Sequence, residues 1–243
     1  QDYQRMDSSL DHFYAKSITS TDEEGIYRFE FEEAYERLAS EIDVGMRITY
    51  GIVGSNIDRK NLINKIGWQA WLIRILRSSD VILQDINIYG TISLGVNVAD
   101  NYGKVTLLRT NIRLKPESPH LIASTSDGFH IKNNRVGVSI IDCYLESTSD
   151  DLINISTMED RIIKVISGNE IVTQSTENAI TSYTIMEGDQ LLFIDSNNNS
   201  IGEAIVNEVI ERNRGNRTHH IILEENFNGL KSINNYENIR ILN

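Results

Sequence analysis

The chain has one cysteine, two prolines and no long apolar run among its 243 residues. A single thiol, Cys143, excludes an internal disulfide and with it any disulfide framework. In Val138-Ser-Ile-Ile-Asp-Cys-Tyr-Leu its place in the alternation predicts a small buried residue, not a catalytic thiol. No stretch approaches the roughly 18 consecutive apolar residues of a membrane-spanning helix. Basic residues are in deficit, with 23 Lys and Arg against 35 Asp and Glu and a formal net charge of -12. Nucleic acid is therefore not an expected partner, because phosphate binding needs a positive surface. The same deficit disfavours a strongly acidic polymer as substrate. No signal peptide is legible. A mature secreted protein shares that property, and a secreted or periplasmic setting is the expectation.

What is present is Asn, Ile, Ser and Thr in strand-like patterns. Three segments begin alike: Val81-Ile-Leu-Gln-Asp-Ile-Asn-Ile, Val105-Thr-Leu-Leu-Arg-Thr-Asn-Ile and Val138-Ser-Ile-Ile-Asp-Cys-Tyr-Leu. Their starts are 24 and 33 residues apart. The longer step contains Leu114-Lys-Pro-Glu-Ser-Pro-His-Leu, which holds both prolines and reads as a loop pushed out of a coil. Shorter apolar runs follow at Ile92–Val98, Phe129–Ile131 and Leu152–Ile155. Strand and turn recurring at this period predict stacked coils, each burying its apolar face on the next. The expected fold class is all-β, with a right-handed parallel β-helix of the pectin-lyase type over residues 53–157. Beyond Met158 the period is lost. Alternating runs at Arg161–Ile166, Gln190–Ile194, Ala204–Ile210 and His219–Leu223 predict a small antiparallel barrel or sandwich over 158–230. Residues 231–243 read as a resumed coil. Residues 1–52 read as a mostly β module, with a short helix over Glu32–Ile42.

The tetrapeptide Ser-Thr-Ser-Asp occurs twice, at Ser124–Asp127 and Ser147–Asp150, and Asp151 follows the second copy at once. Copies 23 residues apart fall on adjacent coils and bring three carboxylates together. Like charges so placed raise at least one pKa, which keeps a general acid protonated near neutral pH. The plainer reading is a repeated polar turn.

The region from Ile112 to Ser156 resembles the active-site region of β-helical glycoside hydrolases. It is similar to the polygalacturonases of family 28 in Ser126-Asp127-Gly128 and Asp150-Asp151. Ser126 departs from that motif, and the Gly-His-Gly and Arg-Ile-Lys elements of the family are missing. It resembles the inverting exo-α-galactosidases of family 110 more fully. The matching elements are Asp127-Gly-Phe-His130, Asn134-Arg-Val-Gly137, Asp142-Cys143 and Asp150-Asp-Leu-Ile-Asn154, with Ser156 standing where that family has His. The family also interrupts its β-helix with barrel domains, and coils beyond the barrel help build its groove. A chain that stops at Asn243 is on this view a fragment or a shortened relative.

The resemblance implies cleavage of a terminal α-linked galactose with inversion, on a carbohydrate partner and without cofactor or metal. Asp127, Asp150 and Asp151 are the expected catalytic residues, one as acid and the others activating water. Inverting enzymes hold the two carboxyl groups roughly 6.5–9.5 Å apart to admit that water. His130, Asn154 and Arg135 are the expected substrate-binding residues. Against this, His130 fits an inward strand position, Asn154 an internal asparagine ladder, and Arg135 and Lys132 solvated corners. Trp68 and Trp71 read as packing residues. His219 and His220, adjacent on a strand, point to opposite faces and do not form a metal pair. Other functions in view are a non-catalytic carbohydrate-binding or adhesin domain, a polygalacturonase-like enzyme, and a calcium-holding lyase.

Overall fold

The computed structural model describes residues 15–31, 44–45, 71–91, 93–176, 185–213, 215–227 and 239–242. The chain divides into two compact units, Gln1–Ala70 and Trp71–Asn243. In the first, β1 (Ala15–Ser20) and β2 (Tyr27–Phe31) form an antiparallel hairpin. Its turn needs a glycine, since Gly25 has a φ of 80°. The helix expected over Glu32–Ile42 and the expected packing role of Trp68 lie outside the described residues.

The second unit opens with nine short strands: β3 (Ile73–Leu76), β4 (Val81–Gln84), β5 (Asn87–Ile88), β6 (Val96–Ala99), β7 (Val105–Leu108), β8 (Asn111–Ile112), β9 (Phe129–Lys132), β10 (Ser139–Ile141) and β11 (Ile153–Ser156). They pair in parallel in three separate sheets, ordered β11-β9-β6-β3, β10-β7-β4 and β5-β8. Val81 lies beside Val105, and Thr106 beside Ser139, so the three similar segments pair where their alignment puts them. Six of these strands, β3, β4, β6, β7, β9 and β10, are each followed at once by a residue in the left-handed region. Arg77, Asp100 and Asn133 end one set, and Asp85, Arg109 and Asp142 the other, with φ between 48° and 57°. Asp and Asn tolerate that conformation; arginine adopts it at a cost. Ile75, Val96, Val98, Val105, Leu107, Ile112, Phe129 and Ile131 make one core. Buried Asn101 ties neighbouring turns together: its Oδ1 accepts from Ser78 N–H (2.9 Å), and its Nδ2 donates to Ile75 O (3.2 Å) and Asn134 Oδ1 (2.7 Å).

Six strands follow: β12 (Asp160–Val165), β13 (Glu170–Ser175), β14 (Gln190–Ile194), β15 (Ser200–Asn213), β16 (Thr218–Leu223) and β17 (Arg240–Leu242). They close a barrel in the order β12-β13-β16-β15-β14-β17, with antiparallel pairing throughout. Its core is a second, distinct cluster containing Ile162, Ile171, Leu191, Phe193, Ile221 and Leu223. Phe193 stacks on Phe227 at 4.5 Å between ring centres.

The all-β class stands, but the expected right-handed parallel β-helix is not what the described residues form. Parallel pairing is confined to short, separate sheets with strands of two to four residues. A solenoid must carry its apolar stacking from coil to coil. Here the stacking stops at β11, where Ile155 is 73% exposed, and the longer alternating segments beyond close on one another instead. Of the coil expected over 231–243, residues 231–238 and 243 lie outside the described residues, and the described part does not continue a parallel coil. Arg240–Leu242 pairs antiparallel with both β12 and β14 and completes the barrel.

Candidate active site

Asp127 sits on the turn entering β9, and Asp150 and Asp151 on the turn entering β11. The main chain draws these turns together. Gly128 N–H donates to Asp151 O (2.9 Å), and Gly95 N–H donates to Asp127 O (3.0 Å). Only glycine allows this approach at position 128. A Cβ there would lie 2.6 Å from Leu152 O and 2.8 Å from a methyl of Leu145. The repeated hydroxyls shape the turns: Ser124 Oγ donates to Ser93 O (2.8 Å), and Thr148 Oγ1 to Asp150 O (2.7 Å).

The register corrects how the two copies align. Phe129 pairs with Ile153 and Ser124 bridges Thr148, a step of 24 residues and not the 23 of the tetrapeptide. By that step Asp127 falls beside Asp151, and Asp150 is the neighbour one position earlier.

One oxygen from each of Asp127, Asp150 and Asp151 lies within 4.8 Å of the others. That approach is shorter than the roughly 6.5–9.5 Å of a water-spaced inverting pair. A single hard divalent cation could also bridge oxygens so placed. Asp127 is buried at 5% exposure, whereas Asp150 and Asp151 face solvent. Burial raises the Asp127 pKa. The His130 hydrogen bond and charge oppose the rise, while the charges of Asp150 and Asp151 add to it.

His130 and Asn154 join the trio. His130 Nδ1 is 2.6 Å from Asp127 Oδ2, and Asn154 Nδ2 donates to Asp151 Oδ2 at 2.9 Å. The two residues are register neighbours, and each reaches back three positions to its own aspartate. The inward alternative for His130 does not hold, because Phe129 and Ile131 on either side fill the core. Arg135 is not brought here. Its guanidinium makes a two-pronged pair with buried Asp189 just before β14, one prong measuring 3.0 Å. Lys132 lies on the same face as His130, in register with Ser156.

Asn97 was not among the residues expected from sequence. It is the register neighbour of His130 on β6 and is 4% exposed, and its Oδ1 has no hydrogen-bond partner among the described residues. Arg74 is next in the same row, and its guanidinium lies 3.9 Å over the ring of Trp71. The signal was available in Val96-Asn97-Val98, a polar residue between two core residues at the place His130 holds one strand on.

Away from this site, Cys143 is half-buried and its thiol donates to Leu107 O at 3.3 Å. His219 and His220 point to opposite sides of the barrel wall. His219 is sealed inside against Asp160 (3.0 Å), and His220 meets Glu170 outside (2.7 Å). No protein-family model matches this sequence, and no curated protein matches it.

Proposed function

We propose that the chain is a glycoside hydrolase whose reacting groups are Asp127, Asp150 and Asp151, acting on a terminal α-linked galactose. The observation that carries the reading is a buried carboxyl of raised pKa set against two exposed carboxylates within 4.8 Å. A carboxyl held toward its neutral form close to other carboxyl groups is what acid–base cleavage of a glycosidic bond uses. Asp127 is the general acid: its proton passes to the glycosidic oxygen as the C1–O bond breaks. Asp150 and Asp151 take a proton from the water that attacks C1. His130 holds the Asp127 carboxyl in place, and Asn154 does the same for Asp151.

The galactose and the inversion rest on the family resemblance. Incubating the chain with α-galactosides and following the released sugar by NMR tests both. Release of β-galactose supports single displacement by water. Release of α-galactose would assign an aspartate as nucleophile and sink the inverting route, to which the short carboxylate approach is the physical objection. Turnover unchanged by EDTA is expected; loss of turnover would assign the trio to a cation. Glycan binding with no cleavage of any galactoside would make the chain a carbohydrate-binding domain.

A further inference from the structure

The barrel carries a cationic recess that the proposed chemistry does not use. Its wall is formed by neighbouring strands: Arg161 on β12 pairs with Gln174 on β13, and Gln174 pairs with Thr218 on β16. Arg217 immediately precedes β16, and its carbonyl accepts from Ser175 N–H at 2.9 Å. Strands about 4.8 Å apart place the two arginines roughly 10 Å apart at the backbone, so their long side chains can converge. Together with Gln174, Ser175, Thr176 and Ile163, they line a surface cavity of about 400 Å³. That volume lies within the range of small-ligand sites, about 300–1,000 Å³.

Charge singles the recess out. The chain carries -12 overall, yet among the described residues no carboxylate lines this cavity. Arg109, Arg135 and Arg240 each meet a carboxylate. Arg161 and Arg217 have no ion pair or hydrogen bond to their side chains among the described residues. Among the described residues the nearby acids are engaged elsewhere. Asp160 turns into the barrel toward Thr173 and His219, Glu159 pairs with Arg240, and Glu170 pairs with His220. Two unspent guanidinium forks above a partly apolar floor suit a carboxylate or sulfate ester, which such forks bind through paired charge-assisted hydrogen bonds.

We propose that Arg161 and Arg217 form a second binding site, separate from the aspartate trio, for an oxyanion group carried on a saccharide. The oxyanion rests on the recess alone, while the saccharide rests on the function proposed above.

Calorimetric titration of the full chain tests it with three probes: an oligosaccharide bearing uronic acid, its neutral counterpart and inorganic sulfate. The acidic oligosaccharide is expected to bind, weakening with added salt, and the neutral one to bind at least tenfold more weakly at this site. Arg161→Gln and Arg217→Gln should each lower the acidic affinity about tenfold while leaving galactoside hydrolysis unchanged. Asp127→Asn should cut hydrolysis by about 100-fold or more and keep the acidic binding, which separates failure of this site from failure of the proposed activity. Equal binding by wild type and the double arginine variant, or no binding of either anion by wild type, would overturn the proposal. Sulfate binding as tightly as the acidic oligosaccharide, with the same arginine dependence, would overturn its saccharide half.

Discussion

Asp127 concentrates the conflict between stability and chemistry that a buried acid creates. Burial favours its neutral form, so folding and proton uptake are linked. Its folded pKa lies above the ordinary 3.8, so its contribution to stability is complete below that pH and is lost as pH rises through the raised value. Asp127→Asn should therefore melt near wild type in acid and above it at neutral pH. A gain of about 1 kcal/mol corresponds to roughly 2–4 °C in a chain of this size. Calorimetry across that pH range checks the sign, and a neutral-pH melting point below wild type would refute it. The same substitution should cut turnover by about 10²–10⁴-fold, the usual contribution of a positioned proton donor. The acidic residues of this group were readable because Asp-Asp after a repeated Ser-Thr-Ser is an uncommon local pattern. Asn97 was not, since one polar residue between two valines is ordinary until its neighbour proves to be His130. Arg135 was expected to bind substrate, with a solvated corner as the plainer reading, and its partner Asp189 is 54 residues away, where no local pattern points.

At the scale of elements, register decides which side chains meet. Reading the tetrapeptides as equivalent pairs Asp127 with Asp150. The strands step by one residue more, which puts Asp151 in that place. A slip of one residue reverses every side chain on a strand, so the core settles the matter: Phe129 and Ile131 must face inward. Gly128 is the hinge of this arrangement. Gly128→Ala should cost about 1–3 kcal/mol through overpacking, read by urea denaturation, and should lower turnover by displacing Asp127. Unchanged stability would show that the turn can give way to a Cβ. Asn101→Leu removes the partners of Ser78 N–H and Ile75 O, and each buried group so orphaned costs about 1–3 kcal/mol. Denaturation that leaves the midpoint unmoved would mean water replaces the lost bonds.

Across the second unit, two separate hydrophobic cores share one chain, one under the parallel sheets and one inside the barrel. Arg135 and Asp189 join them, the arginine following β9 and the aspartate preceding β14. Asp189 is 4% exposed, so removing its cation leaves a buried charge. Arg135→Leu should cost about 3–5 kcal/mol. Adding Asp189→Asn should recover much of that loss, and a double-mutant cycle measures the coupling. Additive effects in the cycle would refute a direct joint.

By itself the sequence determined the β character, the pairing of the three similar segments, and the gathering of Asp127, Asp150 and Asp151, because each follows from a short-range period or a local turn. The tertiary structure decided that the parallel pairing stays in short sheets, that Arg240–Leu242 closes a barrel, and that Arg135 serves a joint between two cores. Those outcomes depend on which distant segments bury one another's apolar faces. For the repeated Ser-Thr-Ser-Asp, spacing brought the carboxylates to adjacent turns. Core packing, acting through a single residue of register, chose which of them stand side by side.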